Sequence, residues 1–226
     1  KNMKKTGKIL ILVLVLAVIA LLLILENRKS TLEKDISAFA IDDTATVTKI
    51  FMADRTGDEV LLEKVDSGYW ELNDTLKARK EGVEDLINTM SKLAIRAPVS
   101  KSSYNNVIKQ LASSAVKVEI YRIKPRINLF DLVKLFPRET LTKTYYVGHP
   151  TPDNLGTFML IEGSEVPFVV SQPGFRGYVA ARFSPRVNDW RDHTIFSKRP
   201  EQIKSIEIEF PVQPEESFRI EKTGEN

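Results

Sequence analysis

The chain is 226 residues long, with 33 basic and 30 acidic residues, a net charge of +3, no cysteine and two histidines. Without cysteine there is no disulfide framework, no thiolate metal ligand and no lipid-modified cysteine, and two histidines alone exclude a His/Cys zinc centre. Lys1, Lys4, Lys5 and Lys8 are the only charged residues before position 26, so the remainder carries 29 basic against 30 acidic residues and offers no basic stripe for a nucleic-acid partner.

Residues 9–25 are an unbroken run of Ala, Val, Ile and Leu. As a helix this run is about 25 Å long, against a hydrocarbon core of about 30 Å, and Thr6, Gly7 and Lys8 extend it into the interface. A cleaved signal peptide would carry a shorter apolar region ending in a small-x-small site, whereas Leu25 is followed by Glu-Asn-Arg-Lys-Ser-Thr. The expectation is a single transmembrane helix over 9–25 acting as an uncleaved anchor. Residues 1–8 form a basic N-terminus and 26–35 a juxtamembrane stalk of mixed charge. That asymmetry puts the N-terminus in the cytoplasm and the bulk of the chain outside.

Residues 36–200 are expected to form one α+β module. Strand signals stand at 39–41, 47–52, 60–65 and 69–72, separated by turn residues at Gly57-Asp58 and 66–68. Val83, Leu86, Ile87, Met90, Leu93 and Ala94 then recur at helical spacing, with acidic residues early, Lys92 and Arg96 late, and Pro98 as the stop. A shorter helix starts at Ser102 or Ser103 and turns Val107, Ile108, Leu111 and Ala112 inward. Further strands are expected at 116–123, 143–148, 157–163 and 167–171, and a last pair at 205–210 and 217–222. Strands in runs, split by a helical block, define an α+β antiparallel class rather than a βαβ alternation.

Between two of those strands Pro125 and Pro137 bracket a nearly all-apolar stretch. Asn128 can cap a helix there, with Leu129, Phe130, Leu132, Val133, Leu135 and Phe136 leaving only Asp131 and Lys134 polar. A short helix apolar on every side must be covered. It either folds back on its own domain or docks on a partner helix, groove or membrane surface, with Arg126, Lys134, Arg138 and Lys143 around it.

A second cluster gathers Arg176, Arg182, Arg186 and Arg191 among Phe175, Tyr178, Phe183 and Trp190. Arginine beside aromatics can hold an anion or other ligand, and the same composition can pin a packed loop through Asp189 and Asp192. No catalytic residue emerges: there is no G-x-S-x-G, no P-loop and no G-x-G-x-x-G. Asp153 and Asn154 offer too few carboxylates for calcium and read as turn chemistry. No metal and no cofactor is expected.

The last residues resemble an earlier stretch. "TVTKIFMADRTGDEVLLEKVDSG" and "QIKSIEIEFPVQPEESFRIEKTG" share an apolar pair, a turn and a strand ending Glu-Lys, at an offset drifting from 156 to 158 residues. Either two hairpins are alike by chance, or residues 201–226 are the first hairpin of a second, truncated module in a fragment of a longer protein.

The order of the apolar anchor, "TVTKIFMADRTGDEVLLEK", Trp70, "APVSKSSYNNVIKQLA", "VKVEIY", "KTYYVGHPTPDNLGTFMLIEGSEVPFVV", "PGFRGYVAARF" and "WRDHTIF" resembles domain-of-unknown-function family 4340. The resemblance implies a bacterial inner-membrane protein, single-pass, with tandem α+β modules in the periplasm. It carries no catalytic residues. It also implies company with ABC-type transporters of the gliding-motility type, while the insertion over 125–137 departs from the family, where a short turn joins those strands. The function expected is a non-catalytic, membrane-anchored interaction or assembly subunit of a cell-envelope complex, whose partners are the membrane and other envelope proteins. The alternatives are an accessory subunit of an ABC-type transporter, or a periplasmic ligand-binding domain using the arginine-aromatic loop.

Overall fold

The computed structural model describes residues 7, 10–18, 38–65, 68–129 and 133–223, and side chains for all of these except 126–129, 133 and 134. Residues 10–18 are helical, and the rest of the expected 9–25 span lies outside the described residues. No helix among the described residues is long and apolar enough to cross a membrane. The chain divides into two compact units, one running to Arg191 and one over Asp192–Asn226.

The first unit is α+β, built on a nine-stranded antiparallel sheet in the order β4-β3-β2-β1-β6-β7-β8-β9-β5. The strands are β1 (Val47–Ala53), β2 (Glu59–Lys64), β3 (Trp70–Leu72), β4 (Leu76–Lys77), β5 (Ala94–Pro98), β6 (Val116–Leu129), β7 (Val133–Pro150), β8 (Thr157–Ile161) and β9 (Phe168–Ser171). Two-residue alternation sorts their side chains onto two faces. Ile50 and Met52 of β1, Val60 and Leu62 of β2, and Val118 and Ile120 of β6 are all fully buried on one face. Helix α1 (Lys80–Ser91) lays Val83, Leu86 and Met90 on that face. Helix α2 (Lys101–Ser114) covers the opposite face over β7 to β9, where Val107 and Leu111 meet Tyr146, Phe158, Leu160 and Val169. Ser100 caps α2 by accepting from the Ser103 amide. A Cβ at Gly148 would lie 2.6 Å from Leu111 Cδ2 and 3.0 Å from the Phe158 carbonyl, so only glycine lets α2 sit this low.

Several expectations are corrected. The segment 39–41 is not a strand. Phe39 and Ile41 are buried, and the Ile41 amide donates to the Met90 carbonyl at 3.1 Å, so the segment covers the end of α1 outside the sheet. Helix α1 stops at Ser91 rather than running to Pro98, because 94–98 pairs with β9 as the edge strand β5, where a proline without an amide proton is tolerated. Ala112, expected inward on α2, is exposed.

The aromatic centre of the core is Tyr145, whose ring lies 5.8 Å from Phe39 and 5.9 Å from Phe183. Its hydroxyl is buried with no hydrogen-bond partner among the described residues, and burial pushes its pKa up. Removing an unpartnered buried hydroxyl costs nothing in lost bonding, so Tyr145→Phe is expected to leave stability unchanged or raise it by up to about 1 kcal/mol in thermal denaturation. A clear loss of stability would mean that the hydroxyl is satisfied.

The second unit holds a two-stranded antiparallel sheet, β10 (Ser205–Ile208) with β11 (Phe218–Glu221). Its register repeats that of the first hairpin. Lys49↔Glu63, Ile50↔Leu62, Phe51↔Leu61 and Met52↔Val60 in β1–β2 become Ser205↔Glu221, Ile206↔Ile220, Glu207↔Arg219 and Ile208↔Phe218, at strand offsets of 156 and 158 residues. The four apolar residues of β10–β11, Ile206, Ile208, Phe218 and Ile220, are exposed, whereas Ile50, Met52, Val60 and Leu62 at the matching positions of β1–β2 are buried.

Candidate functional site

The stretch expected to be a helix between Pro125 and Pro137 is instead the far part of a long hairpin. β6 and β7 pair continuously from Val116↔Val147 to Leu129↔Val133, with a bulge near Ile120 and Tyr121. Helix period and strand period were not separable in so uniformly apolar a run, and Pro125 and Pro137 end up opposite each other in the ladder. Of the expected contact residues, Leu129, Val133, Leu135 and Phe136 lie in these strands, while Phe130 and Leu132 lie outside the described residues.

Only the near part of the hairpin belongs to the sheet. β1 pairs with β6 no further than Arg122, and β8 pairs with β7 no nearer the turn than Tyr145. Beyond Arg122, residues 123–129 of β6 pair with β7 alone, an arm of about 23 Å at strand rise. Directly opposed residues share a face. Ile123, Pro125, Leu135 and Pro137 therefore lie on one face, and Lys124 and Arg138 lie on the other together with Phe136. The register row of the first face continues through the backbone pairs Ile127↔Leu135 and Leu129↔Val133. Ile123 and Leu141 are 45% exposed and Phe136 is 68% exposed. Phe136 also holds a φ of +56°, a left-handed conformation that a bulky residue adopts at a cost of about 1–3 kcal/mol. Apolar area and backbone strain are both spent on a feature that the core does not use.

The base of the arm is tied down from both sides. Glu139 accepts from the Thr48 hydroxyl at 2.5 Å and lies 3.6 Å from Lys49 Nζ, which also pairs with Glu63 at 3.0 Å. On the core side, Arg122 Nε donates to Thr142 Oγ1 at 3.1 Å, and the Lys143 ammonium donates to the Ala38 and Ala40 carbonyls. Lys143 thereby fixes the segment leading to Phe39.

Burial lowers the Lys143 pKa to about 8, nearby Arg122 and Lys124 push the same way, and Asp42 opposes them. The unfolded chain keeps this proton up to about pH 10.4. Between pH 8 and that value the unfolded state binds more protons, so stability should rise with pH until tyrosine ionisation reverses the trend near pH 10. Denaturant midpoints compared with Lys143→Met should show an excess rise in the wild type over pH 8 to 10 and a constant difference below pH 7. Parallel curves throughout would mean that the lysine titrates normally.

The arginine-aromatic residues are spread over the loop that closes the far side of the core. Arg182 pairs with Asp85 of α1 at 3.1 Å. Trp190 is buried in the short helix α3 (Val187–Trp190), and its indole donates to the Ser184 carbonyl at 2.7 Å. The Trp190 carbonyl accepts from the Arg79 amide at 2.7 Å, and Arg191 forms a β-bridge with Ala78. Arg176 and Arg186 are exposed. The geometry thus uses Arg182 and Trp190 to hold the loop against α1.

Elsewhere, Ser114 Oγ lies 2.8 Å from His149 Nε2 but also donates to the Gln110 carbonyl, and no described carboxylate orients the other ring nitrogen as a triad requires. Asp153 is engaged by the Thr151 hydroxyl, the Leu155 amide and Arg96, and among the described residues no cluster of three or more His, Asp or Glu stands ready for a metal.

The sheet, the two helices on opposite faces and the projecting arm define an antiparallel α+β module. Residues 74–226 match the family model of a domain of unknown function, DUF4340, and the chain belongs to that family. No curated protein matches this sequence, and no solved structure matches it.

Proposed function

We propose that this chain is a non-catalytic, membrane-anchored interaction subunit of a bacterial cell-envelope complex, its body periplasmic and the β6–β7 arm its contact element. The arm carries this reading: it leaves the sheet, exposes Ile123, Leu135 and Phe136 beside Lys124 and Arg138, and contributes little to the core. Support for the anchor is the apolar run 9–25 behind four lysines. The equal registers of β1–β2 and β10–β11 support a second copy of the module beginning near residue 201, whose inner face includes Ile206, Ile208, Phe218 and Ile220.

Purification of the full chain from membranes in mild detergent tests the proposal. Stable co-purification of specific membrane proteins is expected, and a permease among them makes the chain an accessory subunit of an ABC-type transporter. Recovery of the chain alone, or only in the soluble fraction, would contradict it.

A further inference from the structure

Helix α2 is seated tightly at Gly148, and between it, the start of β6 and the end of β1 lies a cleft of about 450 Å³. Its wall is Ile108, Leu111 and Ala112 of α2 with Ala115 just after it, and Leu160 and Tyr146 line the sheet side. The mouth holds Asp54, Arg55 and Lys117. Clefts of about 300–1,000 Å³ with apolar walls and few polar groups are the usual form of small-molecule sites, and this one lies near the lower end.

The polar groups at the mouth are already engaged, with one exception. Asp54 Oδ1 accepts from the Thr56 amide at 2.8 Å, the Thr56 hydroxyl at 2.7 Å and the Asp58 amide at 3.2 Å, which holds its carboxyl below the ordinary range. Lys117 pairs with Glu119 at 2.6 Å, and the Tyr146 hydroxyl donates to Glu162 at 2.7 Å. Arg55 is exposed and has no hydrogen-bond or ion-pair partner among the described residues. An apolar trough thus ends at one guanidinium without a direct partner, next to Asp54 whose carboxylate is taken up by Thr56 and Asp58, and its fork suits a carboxylate or phosphate.

We propose that this cleft binds an amphipathic small molecule with a single anionic head, its apolar body between α2 and Leu160 and its head at Arg55. This site is independent of the arm and of the arginine-aromatic loop.

The test uses the full chain in zwitterionic lipid nanodiscs, irradiated with benzophenone-4-carboxylate or with uncharged benzophenone, and labelled peptides located by mass spectrometry. Saturable labelling is expected within 108–117, lost for both probes in Ala112→Trp, which fills the cleft from an exposed position. Arg55→Gln, at an exposed turn that leaves the fold intact, should weaken the carboxylate probe about five-fold and leave benzophenone unchanged. Labelling that does not saturate, that falls outside the cleft, or that responds equally to both probes in Arg55→Gln overturns the proposal.

Discussion

Replacing Phe39 by alanine should lower the melting temperature of the full chain by roughly 10 °C or more, while Phe196→Ala leaves it unchanged. Phe39 is fully buried although it lies outside the sheet, and its ring packs 5.8 Å from Tyr145 and 6.2 Å from Phe168. Truncating a buried phenylalanine costs about 3–5 kcal/mol through lost transfer energy and the cavity left behind. Domains of this size have about 5–15 kcal/mol to lose. Collapse of the segment cannot heal the hole, because Ile41 is hydrogen-bonded to Met90 and Lys143 holds the carbonyls on either side of Phe39. Phe196 is 80% exposed and leaves no cavity. Differential scanning fluorimetry decides the matter. A shift of only a degree or two for Phe39→Ala would mean that the segment is a loose strap and not part of the core.

The second large effect is functional. Leu135→Asp with Phe136→Asp should leave the melting temperature within about a degree and reduce partner recovery from detergent-solubilised membranes more than tenfold. Leu135 is 43% and Phe136 68% exposed, so the fold loses little buried area, and surface changes of this kind stay within about 0.5 kcal/mol. An interface anchored by them loses about 1.5–3 kcal/mol of apolar burial per residue and must also desolvate two carboxylates. Each 1.4 kcal/mol is a factor of ten. Unchanged recovery from a folded variant would remove the arm from the contact surface.

Where side chains alternate strictly, the fold was legible from the residues. Ile50 and Met52 mark one face of β1, Val60 and Leu62 mark β2, and the helical spacing of Val83, Leu86 and Met90 marks α1. The arm was not legible, because the run from Leu129 to Phe136 is apolar at both periods and the flanking prolines looked like helix boundaries. In the ladder those prolines face each other where no third strand needs their missing amide protons. β5 was hidden for a related reason: Leu93 and Ala94 continue the α1 stripe, and only pairing with β9 turns the chain into a strand. In the loop of Arg182 and Trp190, composition alone could not show the packing contacts, since the partners are Asp85, far off in sequence, and the Ser184 carbonyl, a backbone group.

Site-specific photo-crosslinking in living cells tests the role of the arm most directly. With a benzophenone amino acid in place of Leu135, irradiation should yield a discrete adduct with a membrane or envelope protein, while the same group in place of exposed Phe175 on the body should not. Adducts from position 175 with none from position 135, in a chain that is present and folded in the membrane, would contradict it.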